Sequence, residues 1–179
     1  MEELNKLKIE LERTKTELGI LYEVSNAMRT TLKLDEILYI ILTGVTAHTG
    51  LGFNRAMLFL INEKEKIIEG KMGIGPENGE EANIAWTKIE EEKMDLEDLI
   101  AVFKNSDAVL KSSFNLQVKD LKLSMLDKKE NPLSLAVLEG MPLHLTGQTL
   151  YQYRNSPVIQ MLESNELVLI PLKAKDRVN

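Results

Sequence analysis

The first 28 residues, MEELNKLKIELERTKTELGILYEVSNAM, carry the pattern that most limits how this chain can fold: an apolar repeat of seven. With a positions at Leu4, Leu11, Leu18 and Ser25 and d positions at Leu7, Thr14, Leu21 and Met28, six of the eight are apolar. A lone helix of this length, about 42 Å at 1.5 Å per residue, is only marginally stable, so its leucines need a cover. In the same frame Glu3, Glu10 and Glu17 fall at g, and Lys8 and Lys15 at e. A parallel, in-register dimer then sets Glu3 against Lys8 and Glu10 against Lys15. A buried leucine contributes about 1.5 to 3 kcal/mol and an exposed ion pair about 0 to 1, so the leucines drive association and the charges select its orientation. A helix folded back on its own domain would satisfy the leucines but leave the charge order unexplained. The preferred reading is a homodimer with Leu4, Leu7, Leu11, Leu18, Leu21 and Met28 at its interface.

From Leu18 onward the apolar positions spread to Ile20, Leu21, Val24, Ala27 and Met28, wider than a two-stranded seam needs. Here the helix is expected also to touch its own domain, with Gly19 as a soft joint. A second helix starts at Asp35 and Glu36, repeats Ile37, Ile40, Ile41 and Val45 at helical spacing, and closes at Gly50 and Gly52. Arg55 to Ile61 and Ile67 to Gly73 read as an antiparallel hairpin over the charged turn Asn62 to Lys66. Beyond the loop GPENGEE, residues Glu81 to about Leu126 show helical patches and no strand signal. Asn131, Pro132 and Gly140 bound a short helix as N-cap, first residue and C-terminal stop. Leu143 to Thr146 reads as a brief strand, polar helical turns follow through Ser156 and Pro157 to Glu163, and LVLIPL is the last strand.

Composition removes several function classes. The chain has 179 residues, room for one full-sized domain and an appendage, and its 22 basic and 28 acidic residues give a formal charge of -6 with no basic block to attract nucleic acid. Its longest strongly apolar stretch, Ile37 to Val45, is far short of the roughly 20 residues that span a bilayer. The acidic N-terminus is unlike a signal peptide, and a cytoplasmic location is expected. With no cysteine there is no disulfide, thiolate metal site or thiol nucleophile.

The hairpin RAMLFLINEKEKIIEGKMGIG, the helix and strand AVLEGMPLHLT, and the terminal LVLIPLKAKDRV resemble, in order and spacing, the GAF family of small-molecule sensory domains. The likeness runs from about residue 20 to 179, and the lead-in LYEVSNAMRTTLKLDEIL behind a coiled coil resembles GAF modules of bacterial sensor histidine kinases. The resemblance implies an α+β, GAF/PAS-like fold: a twisted antiparallel sheet with helices on both faces, a dimerising helix at residues 1–28 and a sensory domain at 29–179. It further implies a pocket walled by the helical insertion and an effector domain elsewhere in the full-length chain. The family usually adds a further strand and a closing helix just beyond Val178, so the chain reads as cut through a hairpin, with Leu167 to Leu172 beside a vacant sheet position.

The candidate ligand-binding residues are Phe59, Met72, Trp86, Phe114 and His144; no cofactor is identified, and the ligand would be an unknown small molecule. Trp86 and Phe114 are the largest rings of the helical region and fit ordinary core packing as well as a pocket wall. His144 alternates with Leu143 and Leu145 and so points away from their face. It could meet a haem iron or a ligand, although a half-exposed strand histidine is the plainer reading. His48 suits a solvated helix C-terminus, Arg55 could hold an anion, and neither histidine has metal-ligand spacing.

No catalytic residue is identified. Methionine sulfoxide reduction and covalent bilin attachment, both known on this fold, need cysteines, and neither the Asn-Lys-Phe-Asp-Glu signature of cyclic-nucleotide GAF domains nor a kinase histidine box is present. The expected function is a non-enzymatic regulatory sensor, most naturally of a histidine kinase. The alternative is a ligand-free dimerisation and relay module of a diguanylate cyclase, phosphatase or transcriptional activator.

Overall fold

A computed structural model of the chain describes residues 1–46, 53–77, 98, 101 and 109–173. It is a mixed helix and strand protein, and no helix among the described residues is long and apolar enough to cross a membrane. Its contacts divide it into two units, Met1–Leu58 with Lys71–Lys119, and Phe59–Gly70 with Asp120–Asn179.

The first unit opens with α1, Glu2–Met28, which runs through Gly19 without a break, and α2, Leu34–Thr46. Asp35 and Glu36 occupy the first turn of α2, where the positive end of the helix dipole favours carboxylates. Lys33 bonds Glu36 at 3.0 Å and Lys71 bonds Asp35 at 2.8 Å. The last turns of α1 lie on α2, with Val24, Ala27 and Met28 packed around the buried Ile40. Gly44 permits that approach: a Cβ there would stand 2.6 Å from Cγ2 of Val24.

The expected hairpin is present as β1, Ala56–Asn62, and β2, Ile67–Ile74. Its turn is held by the Asn62 side chain, which accepts from the Glu65 N–H at 3.2 Å, and by Lys66 in the left-handed region at φ 56. Within the first unit, Ala56, Leu58, Met72 and Ile74 pack with Leu38, Tyr39 and Leu42 of α2. Alternation turns Gly73 to the other face of β2, where α3, Ser113–Asp120, covers it with Phe114 and Val118.

In the second unit the expectation of helix alone up to Leu126 is corrected. Lys122–Ser124 forms β3, antiparallel to β2, with Ile67 opposite Ser124, Ile68 opposite Leu123 and Glu69 opposite Lys122. Three residues are too few to register a period of two, and the strand is recruited by the free edge of β2, burying Leu123 and Ile68. The helical patches expected around Ile84, Trp86, Ile89, Leu96, Leu99 and Ile100 lie outside the described residues.

The bounded helix is α4, Pro132–Glu139, and its ends are those read from the sequence. Asn131 accepts from the Leu133 N–H at 3.1 Å, Pro132 opens the helix, and Gly140 ends it at φ 64. Then come β4, Leu143–Thr146, α5, Gly147–Tyr151, α6, Pro157–Leu162, and β5, Glu166–Leu169. β5 is shorter than the expected Leu167–Leu172; it stops before Pro171, which has no N–H to give a ladder. β4 and β5 pair antiparallel, and Leu145, Leu150 and Tyr153 make the core beneath them with Leu135, Ile159, Leu167 and Leu169. The described strands thus form a three-stranded sheet, β1-β2-β3, and a separate two-stranded one, where a single sheet was implied.

A Cβ added at Gly73 would stand 2.6 Å from Cγ2 of Val118 and 3.2 Å from the Phe114 ring. Gly73→Ala should therefore destabilise the protein by about 1 to 3 kcal/mol, the usual effect of overpacking a filled core. Urea unfolding should show a lower midpoint at unchanged slope; an unchanged midpoint would mean that α3 is not held against β2.

Candidate functional site

The leucine stripe of α1 is an uncovered apolar feature running along most of the helix. From Glu3 to Thr16 every residue is exposed. Leu4, Leu7, Leu11, Leu18 and Leu21 each stand more than half open, from 53% at Leu11 to 66% at Leu4. Met28, the sixth interface residue read from the heptad, differs from these five: it is half-buried against Ile40 of its own chain.

The polar members of the stripe are already satisfied. The Thr14 hydroxyl donates to the Glu10 carbonyl at 2.8 Å and the Ser25 hydroxyl to the Leu21 carbonyl at 2.6 Å. Covering them would strand no hydrogen bond. Arg13 bonds Glu17 at 2.9 Å and Lys15 bonds Glu12 at 3.1 Å, both exposed pairs worth little and readily exchanged.

Of the five candidate ligand residues, four lie among the described residues. Met72 is 2% exposed and faces α2 with Tyr39 and Leu42, whereas Phe114 is 1% exposed and lies against Gly73, on the opposite face of β2. Phe59, on β1, is half-buried. His144 points away from the buried Leu145, as its alternation predicts, and its Nε2 lies 2.7 Å from Oε1 of Glu166 on the exposed surface of the two-stranded sheet. Trp86 and His48 are outside the described residues. No group of three His, Asp or Glu side chains among the described residues could hold a metal ion.

A polar network stands beside Phe114. Asn115, fully buried, accepts from the Gly73 N–H at 3.0 Å and donates to the Leu110 carbonyl at 2.7 Å, so its amide bridges the backbone of β2 to that of Leu110. The Glu77 carboxylate accepts from the Ser113 hydroxyl and from the Gln117 amide, the latter at 2.7 Å. Arg55, considered above as an anion holder, donates to the Glu77 carbonyl at 3.4 Å and covers the Phe114 ring at 5.7 Å. This network fastens the end of β2 to α3. Sequence reading missed both Asn115 and Gly44, because neither a buried bridging amide nor a helix crossing leaves a periodic signal.

Compared with protein-family models, curated proteins and solved structures, the chain matches none.

One buried group gives the first unit a pH dependence. Burial holds the Tyr39 phenol above its ordinary value of 10.0, and the neighbouring Thr43 side chain offsets only part of the rise. Above pH 10 the folded state then retains a proton that the unfolded chain releases, so this phenol contributes stability below that pH and loses it as the pH climbs toward its folded value. Melting temperatures from pH 9 to 11 should fall less steeply for Tyr39→Phe than for the parent; equal slopes would contradict the assignment.

Proposed function

We propose that the chain is a regulatory domain of a signal-transduction protein, of the GAF kind found in bacterial sensor histidine kinases. Its body would sense a small molecule in the cytoplasm and pass its state to an effector domain of the same full-length chain through a pair of α1 helices. The observation that carries this reading is the division of labour along α1. Its leucines at heptad spacing stand uncovered from Leu4 to Leu21, while its last turns are packed on α2. A helix anchored at one end and apolar along the other is suited to couple a folded body to a second copy.

The second reading, a relay module that binds no ligand, is favoured by the enclosure of Met72 and Phe114 among protein side chains. The two readings share the dimer and differ in the ligand. Leu11→Asp combined with Leu18→Asp would put a charge at each of two successive a positions of the seam. Light scattering after gel filtration should give twice the 20.3 kDa chain mass for the parent and the chain mass for the variant, with the melting of the body unchanged. A monomeric parent would contradict both readings. A rise in melting temperature with one member of a panel of nucleotides and metabolites would favour the sensor, and no rise with any would favour the relay.

A further inference from the structure

The heptad stripe and the α2-facing residues of α1 occupy different sides of one helix, and they converge as the helix advances. At 100° per residue, Ile20, Val24, Ala27 and Met28 centre roughly 100° away from Leu18 and Leu21. A straight helix drifts about 20° per heptad against a repeat of seven, and here the drift carries the stripe toward the α2 side. By the fourth heptad it arrives: Met28 lies roughly 20° from Leu21 and 40° from Val24 around the axis. The structure gives Met28 to α2, against Ile40, and leaves Leu21 open.

We infer, on the reading that α1 dimerises, that a second copy of this chain docks on Leu4 to Leu21 alone, parallel and in register, and that the seam ends before Ser25 and Met28. The occupant follows from charge. Parallel pairing sets Glu3 and Glu10 of one copy against Lys8 and Lys15 of the other, while antiparallel pairing would bring glutamate to glutamate and lysine to lysine. The end of the seam follows from competition. Supercoiling past Leu21 would turn Met28 toward the second copy and withdraw it from Ile40, whereas the close crossing of Val24 over Gly44 keeps the last turns on α2. Leu21 is therefore the final seam residue, and the turn between Leu21 and Met28 is where contact passes from the second copy to the chain's own α2.

The absence of native cysteine makes disulfide trapping clean. Leu7→Cys, Leu21→Cys and Met28→Cys all change d positions, so a continuous coil would cross-link all three alike. Under mild oxidation of the full chain, Leu7→Cys and Leu21→Cys should form covalent dimers, and Met28→Cys should do so at least about tenfold more slowly because its Cβ atoms lie too far apart. Ser25→Cys, at an exposed a position, repeats the test without disturbing a packed side chain and should also be slow. Arg13→Cys, on the far side of the helix, sets the background. Equal cross-linking at Leu7, Ser25 and Met28 would overturn the inferred end of the seam while leaving the dimer intact. Cross-linking of Leu7→Cys only when mixed with Leu18→Cys would overturn the parallel arrangement. No cross-linking above background, with a monomeric mass in solution, would overturn the dimer itself.

Discussion

The contact between the end of α1 and the middle of α2 is the constraint from which the rest of the account follows. Ile40 is almost fully covered, and part of its cover comes from Val24, Ala27 and Met28, residues that a purely dimeric helix would present elsewhere. The crossing is close because Gly44 has no side chain, and Val24, stiff at its branched Cβ, fills that space. Once these turns are fixed, the direction and rotation of α1 are fixed with them, and its leucines are left facing outward. The exposed stripe is thus a consequence of how the helix is anchored.

A second constraint operates at β2. Its Met72 face is occupied by α2 and its Gly73 face by α3, so within the first unit the strand is covered on both sides. Asn115 accepts a hydrogen bond from the Gly73 N–H, and the Glu77 contacts hold α3 in place. The strand therefore has little freedom to shift without disturbing α2 and, through α2, the anchored end of α1. This is the physical connection between body and helix on which the proposed relay rests.

Much of this was legible in the residues. The long helix, the hairpin, the Asn131–Gly140 helix and the strands at Leu143 and Leu167 each carried a periodic pattern or an end signal, since caps, turns and alternation are local properties. β3 was not legible, because three residues paired to a distant edge have no pattern of their own. The packing of Val24, Ala27 and Met28 on their own chain followed from the widening of the apolar positions after Leu18, although the heptad frame, which assumes a supercoil, also assigned Met28 to the dimer seam. Of the candidate ligand residues, the direction of His144 followed from alternation, but the separation of Met72 from Phe114 depended on which helix covers which face of β2. That is tertiary information.

Hydrogen exchange along α1 at two protein concentrations tests the central claim most directly. The amides of Val24 to Met28 should be protected equally at about 1 µM and about 100 µM, because their cover is intramolecular, whereas those of Leu7 to Leu18 should exchange more slowly at the higher concentration as a second copy covers them. Fast exchange of Leu7 to Leu18 at both concentrations, or protection that ignores concentration along the whole helix, would contradict the account.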